Sequence, residues 1–182
     1  MDAPKPWTSW LGGLAVAVTV GALCFCKAQD PDLGFHFATG RAVLALGKVP
    51  GTNVLSYTHP DHPWLLHQWA PAVLFELVRR RFSVEGVTVV KAVVVVATWL
   101  VSFVTVRRLF SRSVALGATL VVAGATAASF RFVERPLIFS NLALALVGLA
   151  IAAVLQEPDA RRRRRHLAGA VAVTVVASHL HA

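Results

Sequence analysis

The chain has 182 residues, 56% of them hydrophobic and only 15% charged, with a mean hydropathy of +0.63. Those proportions do not suit a soluble globular domain and point to a membrane protein. The net charge of +9 invites a nucleic-acid reading. The basic residues, however, fall in short clusters at the ends of apolar runs and not on aromatic-interleaved surfaces, so no nucleic-acid partner is expected.

In chain order, a short polar lead with Lys5 precedes an apolar run from Trp7 to Cys26. A signal peptide is the rival reading. About 20 apolar residues match the hydrocarbon thickness, whereas a signal-peptide apolar region is shorter, so an uncleaved membrane helix is preferred. Cys24 and Cys26 lie in this run with no other cysteine in the chain. They are read as lipid-facing or packed thiols, not as a disulfide or zinc framework.

Residues 27–85 form a long polar loop between membrane segments. The part from Gln29 to Trp69 gathers Asp30, Asp32, Asp61, His36, His59, His62, His67 and the lone tyrosine, Tyr57, in a chain that is otherwise mostly apolar. Titratable chemistry is expected there. Asp30-Pro31-Asp32 reads as a helix start, with Asp30 as N-cap and Pro31 at the first helical position, and the helix should end near Gly47. Leu33, Phe37 and Leu44 make an apolar stripe suited to a helix lying on the membrane surface. Asp32 and His36, four apart, share another face. A second surface helix is expected over Trp69–Arg81, with Pro71 in its first turn and Trp69 at the interface. The turn-rich segment between them is expected to be irregular. His59, His62 and His67 read as polar loop residues, because Pro60 and Pro63 interrupt any tight ligand spacing.

Three further runs are long enough to span: Gly86–Val106, Ser113–Phe130 and Leu137–Leu155. Only helices and closed barrels satisfy their backbone in lipid, so these are read as helices despite the Val93–Val96 run. Lys91 stands near one end of its run and is expected to snorkel to the interface. Residues 167–182 are apolar, but roughly 24 Å of helix falls short of a hydrocarbon core of roughly 30 Å. A partial fifth membrane helix, and hence the N-terminal portion of a longer protein, is the expectation. The architecture expected is thus an all-α polytopic membrane domain over 1–182, with about four full transmembrane helices and a partial fifth.

Arg107, Arg108 and Arg112 crowd one connection and Arg161–Arg165 another, and the positive-inside rule puts both in the cytoplasm. The N-terminus is then cytoplasmic, while the long loop and the Arg131–Pro136 turn lie outside. Arg79–Arg81 weigh against this orientation. A plasma or inner membrane, crossed several times, is the expected location. Trp7, Trp10, Trp64, Trp69 and Trp99 are mostly belt residues, and Arg161–Arg165 a topology anchor on anionic lipid.

Several short motifs accompany this layout: Asp30-Pro31-Asp32-Leu33 after the first membrane helix, then His36, Thr39-Gly40-Arg41, Gly47-Lys48-Val49-Pro50, Ser56-Tyr57-Thr58, Pro63-Trp64 and His67-Gln68-Trp69. Arg135-Pro136-Leu137-Ile138-Phe139-Ser140 and His179-Leu180-His181 continue the series. Together they resemble the N-terminal part of bacterial GT-C superfamily polytopic membrane glycosyltransferase-like proteins, relatives of the dolichyl-phosphate-mannose protein mannosyltransferases. The resemblance implies transfer of a sugar from a polyprenyl-phosphate donor to an extracytoplasmic acceptor, with the lipid bilayer and the polyprenyl-linked sugar as partners. By position it makes Asp32 and Asp30 the catalytic carboxylates, base or metal ligand. His36 is their companion, Arg135 a phosphate binder, and His67, Trp69 and Tyr57 further substrate contacts. The leaving phosphate needs a cation, and a divalent metal is one way to supply it. By itself the portion in hand is expected to be inactive.

Two other classes stand beside this one. A non-catalytic membrane subunit or degenerate relative is suggested by the short last helix and by Gln68 and Asn53, which stand where the family often has an acid. A metal or proton transport component is suggested by the clustering of Asp and His.

Overall fold

The computed structural model describes residues 6–25, 30–60, 62–110 and 113–181, excluding the side chains of residues 6–8, 179 and 181. Cys26, Asp61, Arg112 and the rings of Trp7, His179 and His181 therefore lie outside the described part of the molecule.

Every regular element among the described residues is helical: α1 (Pro6–Cys24), α2 (Leu33–Leu46), α3 (Trp69–Leu109), α4 (Val114–Ala128), a single 3₁₀ turn (Ser129–Arg131), α5 (Leu137–Gln156) and α6 (Ala160–His181). Three stretches are long and apolar enough to cross a membrane, within α3, from Val114 to Arg131, and in α5. The described residues are thus all-helical, with the apolar helix lengths of a membrane protein. α1 is apolar, with a shorter stretch, Ser9–Cys24, whose side chains are described, and α6 begins with the arginine run Arg161–Arg165.

α3 is one helix by hydrogen bonding and two by geometry. Phe82 and Ser83 leave helical backbone angles, and Ser83 takes φ 60°, ψ −165°, a conformation that favours glycine. The charged half, 69–81, thus ends in a corner, and the apolar half from Val84 onward runs as a separate rod. The Ser83 hydroxyl donates to the Glu85 carboxylate across the corner. α2 stops where Gly47 adopts φ 64°, the left-handed C-terminal position that glycine fills without steric cost.

α2 lies along α3, α1 packs on α3 and α4, and α5 sits between α3 and α6. The core runs through Val16, Val20 and Cys24 of α1, Phe75, Val87, Val95 and Phe103 of α3, Val121 and Ala125 of α4, and Ile138 of α5. Cys24 is accordingly a packed thiol. Close approach needs small residues at two points. A Cβ on Gly40 would stand 2.2 Å from the Ala72 carbonyl oxygen, and one on Gly12 would stand 2.4 Å from a Val114 methyl. Gly40 thereby sets the crossing of α2 on α3.

The structure corrects two expectations. Lys91 does not snorkel: roughly 10 Å along the apolar rod, at 1.5 Å per residue from Val84, its Nζ lies 2.7 Å from Glu134 Oε1, with the two side chains 1% and 0% exposed. Thr88 donates its hydroxyl to the same oxygen at 3.3 Å. The pair pins the segment after the 3₁₀ turn to the α3 rod, because a charge buried in a membrane helix needs a partner of opposite sign.

Asp30, in turn, is not the cap of α2. The N-cap position belongs to Asp32, which makes no side-chain capping bond. Asp30 precedes it and accepts the Asp32 backbone N–H at 3.0 Å, an Asx-type turn that leads the chain into the helix.

Candidate functional site

The site lies at the end of the bundle where α2 begins, α3 begins and the chain turns into α5. Pro136 occupies the N-cap position of α5 and puts Arg135 just ahead of that helix. From there the Arg135 guanidinium reaches both aspartates of the first loop: Nε donates to Asp30 Oδ2 at 2.8 Å, and a terminal nitrogen donates to Asp32 Oδ2 at 3.1 Å. Two segments about a hundred residues apart are joined by one side chain.

The two carboxylates differ in setting. Asp30 has a fully buried side chain that accepts from Arg135 on one oxygen and from the Asp32 N–H on the other. Asp32 is 61% exposed. Only Asp32 of the two faces the adjoining pocket, about 490 Å³, which it shares with Phe35, His36, Gln68, Arg135, Pro136 and Leu137. Asp30 is built to hold Arg135, whereas Asp32 is free to meet a ligand.

His36, one turn after Asp32, is buried with its ring edge-on to Phe35 and Phe75, at centroid distances of 6.0 and 6.2 Å. Burial holds its pKa below the ordinary histidine value, Asp30 and Asp32 pull it back up, and Arg135 pushes it down again.

A divalent cation does not fit between the aspartates. Arg135 already bridges them and supplies the counter-charge, and no three His, Cys, Asp or Glu side chains form a ligand set among the described residues.

Of the other site residues named from the sequence, His67 belongs to a smaller neighbouring pocket of about 150 Å³ with Phe35, His36, Thr39 and Trp64. Trp69 opens α3 and is part-exposed, and Tyr57 is almost wholly exposed. Neither lines the Asp32 pocket. The segment carrying Tyr57 is tied at its base by an isolated bridge between Thr52 and Pro63, with Asn53 N–H on the His62 carbonyl and Trp64 N–H on the Gly51 carbonyl. That base presents Trp64 to Phe35, with ring centroids 6.1 Å apart.

Two groups, Glu134 and Glu76, were not anticipated from the sequence, and Gln68 was named there only as a departure from the family pattern. Gln68 lines the main pocket. Glu134 fixes the segment that carries Arg135. Glu76 lies buried between α2 and α3, where Arg79 donates to both of its oxygens at 2.8 and 3.0 Å, Arg80 donates at 2.8 Å, and Arg41 stands 3.8 Å away. The Arg79 hydrogen bonds, opposed by burial and reinforced by Arg80, hold the Glu76 carboxyl at about 2. For Glu76 the sequence did carry a signal, an acid in an apolar turn with arginines at i+3 and i+4.

At the opposite end of the bundle Arg107 donates to Ser9 Oγ at 2.7 Å, and the Gln156 amide reaches the Arg108 carbonyl. The dense basic segments Arg107–Arg108 and Arg161–Arg165 thus flank the end away from the aspartates. In sequence and in structure the chain matches no protein-family model, no curated protein and no solved structure.

Proposed function

We propose that this protein is a GT-C-type membrane glycosyltransferase, taking a sugar from a polyprenyl-phosphate donor to an extracytoplasmic acceptor. The observation that carries the reading is the Asp30–Arg135–Asp32 bridge at the mouth of a pocket, with one carboxylate buried and the other open. An inverting transfer needs a base at the acceptor and a cation at the leaving phosphate. In this reading Asp32 takes the proton from the acceptor hydroxyl as its oxygen attacks the anomeric carbon. The bond from that carbon to the phosphate oxygen breaks, and the phosphate leaves with the electron pair. Arg135, locked by Asp30, turns its remaining N–H donors to the phosphate, and His36 lines the same pocket beside them.

The accompanying topology has four membrane crossings before α6, with the N-terminus in the cytoplasm and the aspartates outside. It is supported by the separation of the arginine-dense end from the aspartate end. Arg79 and Arg80, which counted against it, are partly neutralised by Glu76.

Asp32→Asn and Asp30→Asn test the chemistry in membranes carrying the product of the whole reading frame, with a radiolabelled polyprenyl-phosphate sugar as donor. An amide keeps the shape of the carboxylate but takes no proton. Asp32→Asn should slow transfer on the order of 100-fold or more without loss of folded protein. Transfer at the wild-type rate in Asp32→Asn would remove the base and the reading with it.

A further inference from the structure

The 69–81 half of α3 carries a second organised site, none of whose residues lines the Asp32 pocket. Three guanidinium groups, from Arg41 of α2 and Arg79 and Arg80 of α3, converge on the one buried carboxylate of Glu76. Three positive charges against one negative leave two in excess, and the exposed Arg81 adds a third. The nearest acid along the chain, Glu85, is engaged by the Ser83 hydroxyl.

The arginines are fixed and yet accessible. Arg79 is clamped through two of its nitrogens and stacked over the Phe37 ring at 5.4 Å, and Arg81 lies over Phe82 at 5.5 Å. The Arg41, Arg79 and Arg80 side chains remain 60%, 33% and 49% exposed. A carboxylate with arginines in such numbers is more than an ion pair needs, since one guanidinium would satisfy it.

The rest of the helix face says what the surplus meets. At helical spacing Leu74, Leu77 and Arg81 fall on one stripe, away from Glu76, and Leu74, Leu77 and the adjacent Phe82 are exposed. An exposed leucine stripe that ends on Arg81, with Arg79 and Arg80 round the helix on the Glu76 side, one corner before an apolar rod that enters the membrane, has the chemistry of the lipid interface. The apolar side chains belong at the acyl boundary, and the cations at the level of the headgroup phosphates.

We propose that this surface, organised by Glu76, binds the phosphodiester headgroups of anionic phospholipid in the leaflet on the loop side. Glu76 is its positioning residue, and Arg41, Arg79, Arg80 and Arg81 are its ligands. The inference follows from the membrane character of the chain and does not depend on the glycosyltransferase reading.

The test uses the purified protein in bilayers of phosphatidylcholine, with spin-labelled phosphatidylglycerol or phosphatidylcholine as probe. The wild type should select phosphatidylglycerol. Arg41→Gln with Arg81→Gln leaves the Glu76 hydrogen bonds intact and should weaken that selectivity by about 25-fold, from roughly five-fold per surface arginine, with phosphatidylcholine association unchanged. Arg161–Arg165 at the other end attract the same lipid, so the readout is the difference between wild type and variant. Selectivity unaltered in the double variant would overturn the proposal and assign the surface to another partner. Complete displacement of the arginine-dependent fraction by millimolar inorganic phosphate would overturn it too, in favour of a soluble phosphate ligand.

Discussion

Glu134 and Arg135 are neighbours in the chain and opposites in setting. Glu134 turns into the bundle and closes on Lys91, with both charges buried away from solvent, while Arg135 turns out to the first loop and is shared between a buried and an open aspartate. The first arrangement has no room for a ligand, and its whole effect is to fix where the backbone lies. The second is open on one side, where Asp32 and Arg135 line a pocket. Neighbouring residues of the chain thus fix the backbone on one side and line the pocket on the other.

Breaking the closed pair should have the largest effect. Lys91→Met or Glu134→Gln leaves an uncompensated buried partner and should destabilise the protein by about 3–5 kcal/mol. Lys91→Met combined with Glu134→Leu, which removes both charges, should recover most of the loss. Unfolding in mild detergent with added SDS reads all three, and a double variant destabilised by the sum of the two single losses would mean the pair is not coupled.

The open cluster should respond less and unevenly. Asp30→Asn loosens a buried, doubly bonded carboxylate and should cost about 1.5–3 kcal/mol, the range for hydrogen bonds to charged groups. Asp32→Asn alters a mostly exposed pair and should cost under about 1 kcal/mol. The same unfolding titration decides this. If Asp32 proved the costlier of the two, their division into holder and ligand group would be reversed.

The smallest effect is electrostatic. Arg135→Gln removes a positive charge that lowers the His36 pKa and leaves Asp30 and Asp32 to raise it, so His36 should titrate at a higher pH than in the wild type. The folded wild type favours neutral His36. Its contribution to stability is therefore present above the ordinary histidine pKa of about 6.5 and declines as pH falls below it. Ring resonances of ¹³C-labelled histidine, assigned with His36→Asn, give the shift, and a lower His36 pKa in the variant would contradict the arrangement.

What the sequence disclosed and what it hid divide along the range of the interactions. All-helical structure, membrane-length runs, the stop at Gly47 and a change of character after Arg81 are local signals, written in run length, glycine and charge. Asp30 reads as a cap in the sequence because the Asp-Pro-Asp pattern allows either aspartate to precede the helix, and the geometry chose Asp32. Lys91 and Glu134 stand 43 positions apart, and no spacing rule joins them. The usable hint was stoichiometric: a lone base in one apolar run and a lone acid at the start of another are natural partners where water is excluded. The contact of Arg135 with both aspartates was equally invisible as a distance, although the arginine clusters already argue for the first loop and the turn before α5 on one side.

The corner at Ser83 gives the molecule a swivel. In an unbroken helix each added residue rotates everything beyond it by about 100°, so the face that Glu76 presents to α2 would dictate the face that Val87, Lys91 and Val95 present to α5. With the helical phase reset at Phe82 and Ser83, the two faces are chosen independently. A residue gained or lost within the rod would turn Lys91 away from Glu134 while leaving Glu76 among its arginines. The helix at 69–81 and the apolar rod from Val84 can therefore drift in register separately in the course of evolution, each answering only to its own neighbours.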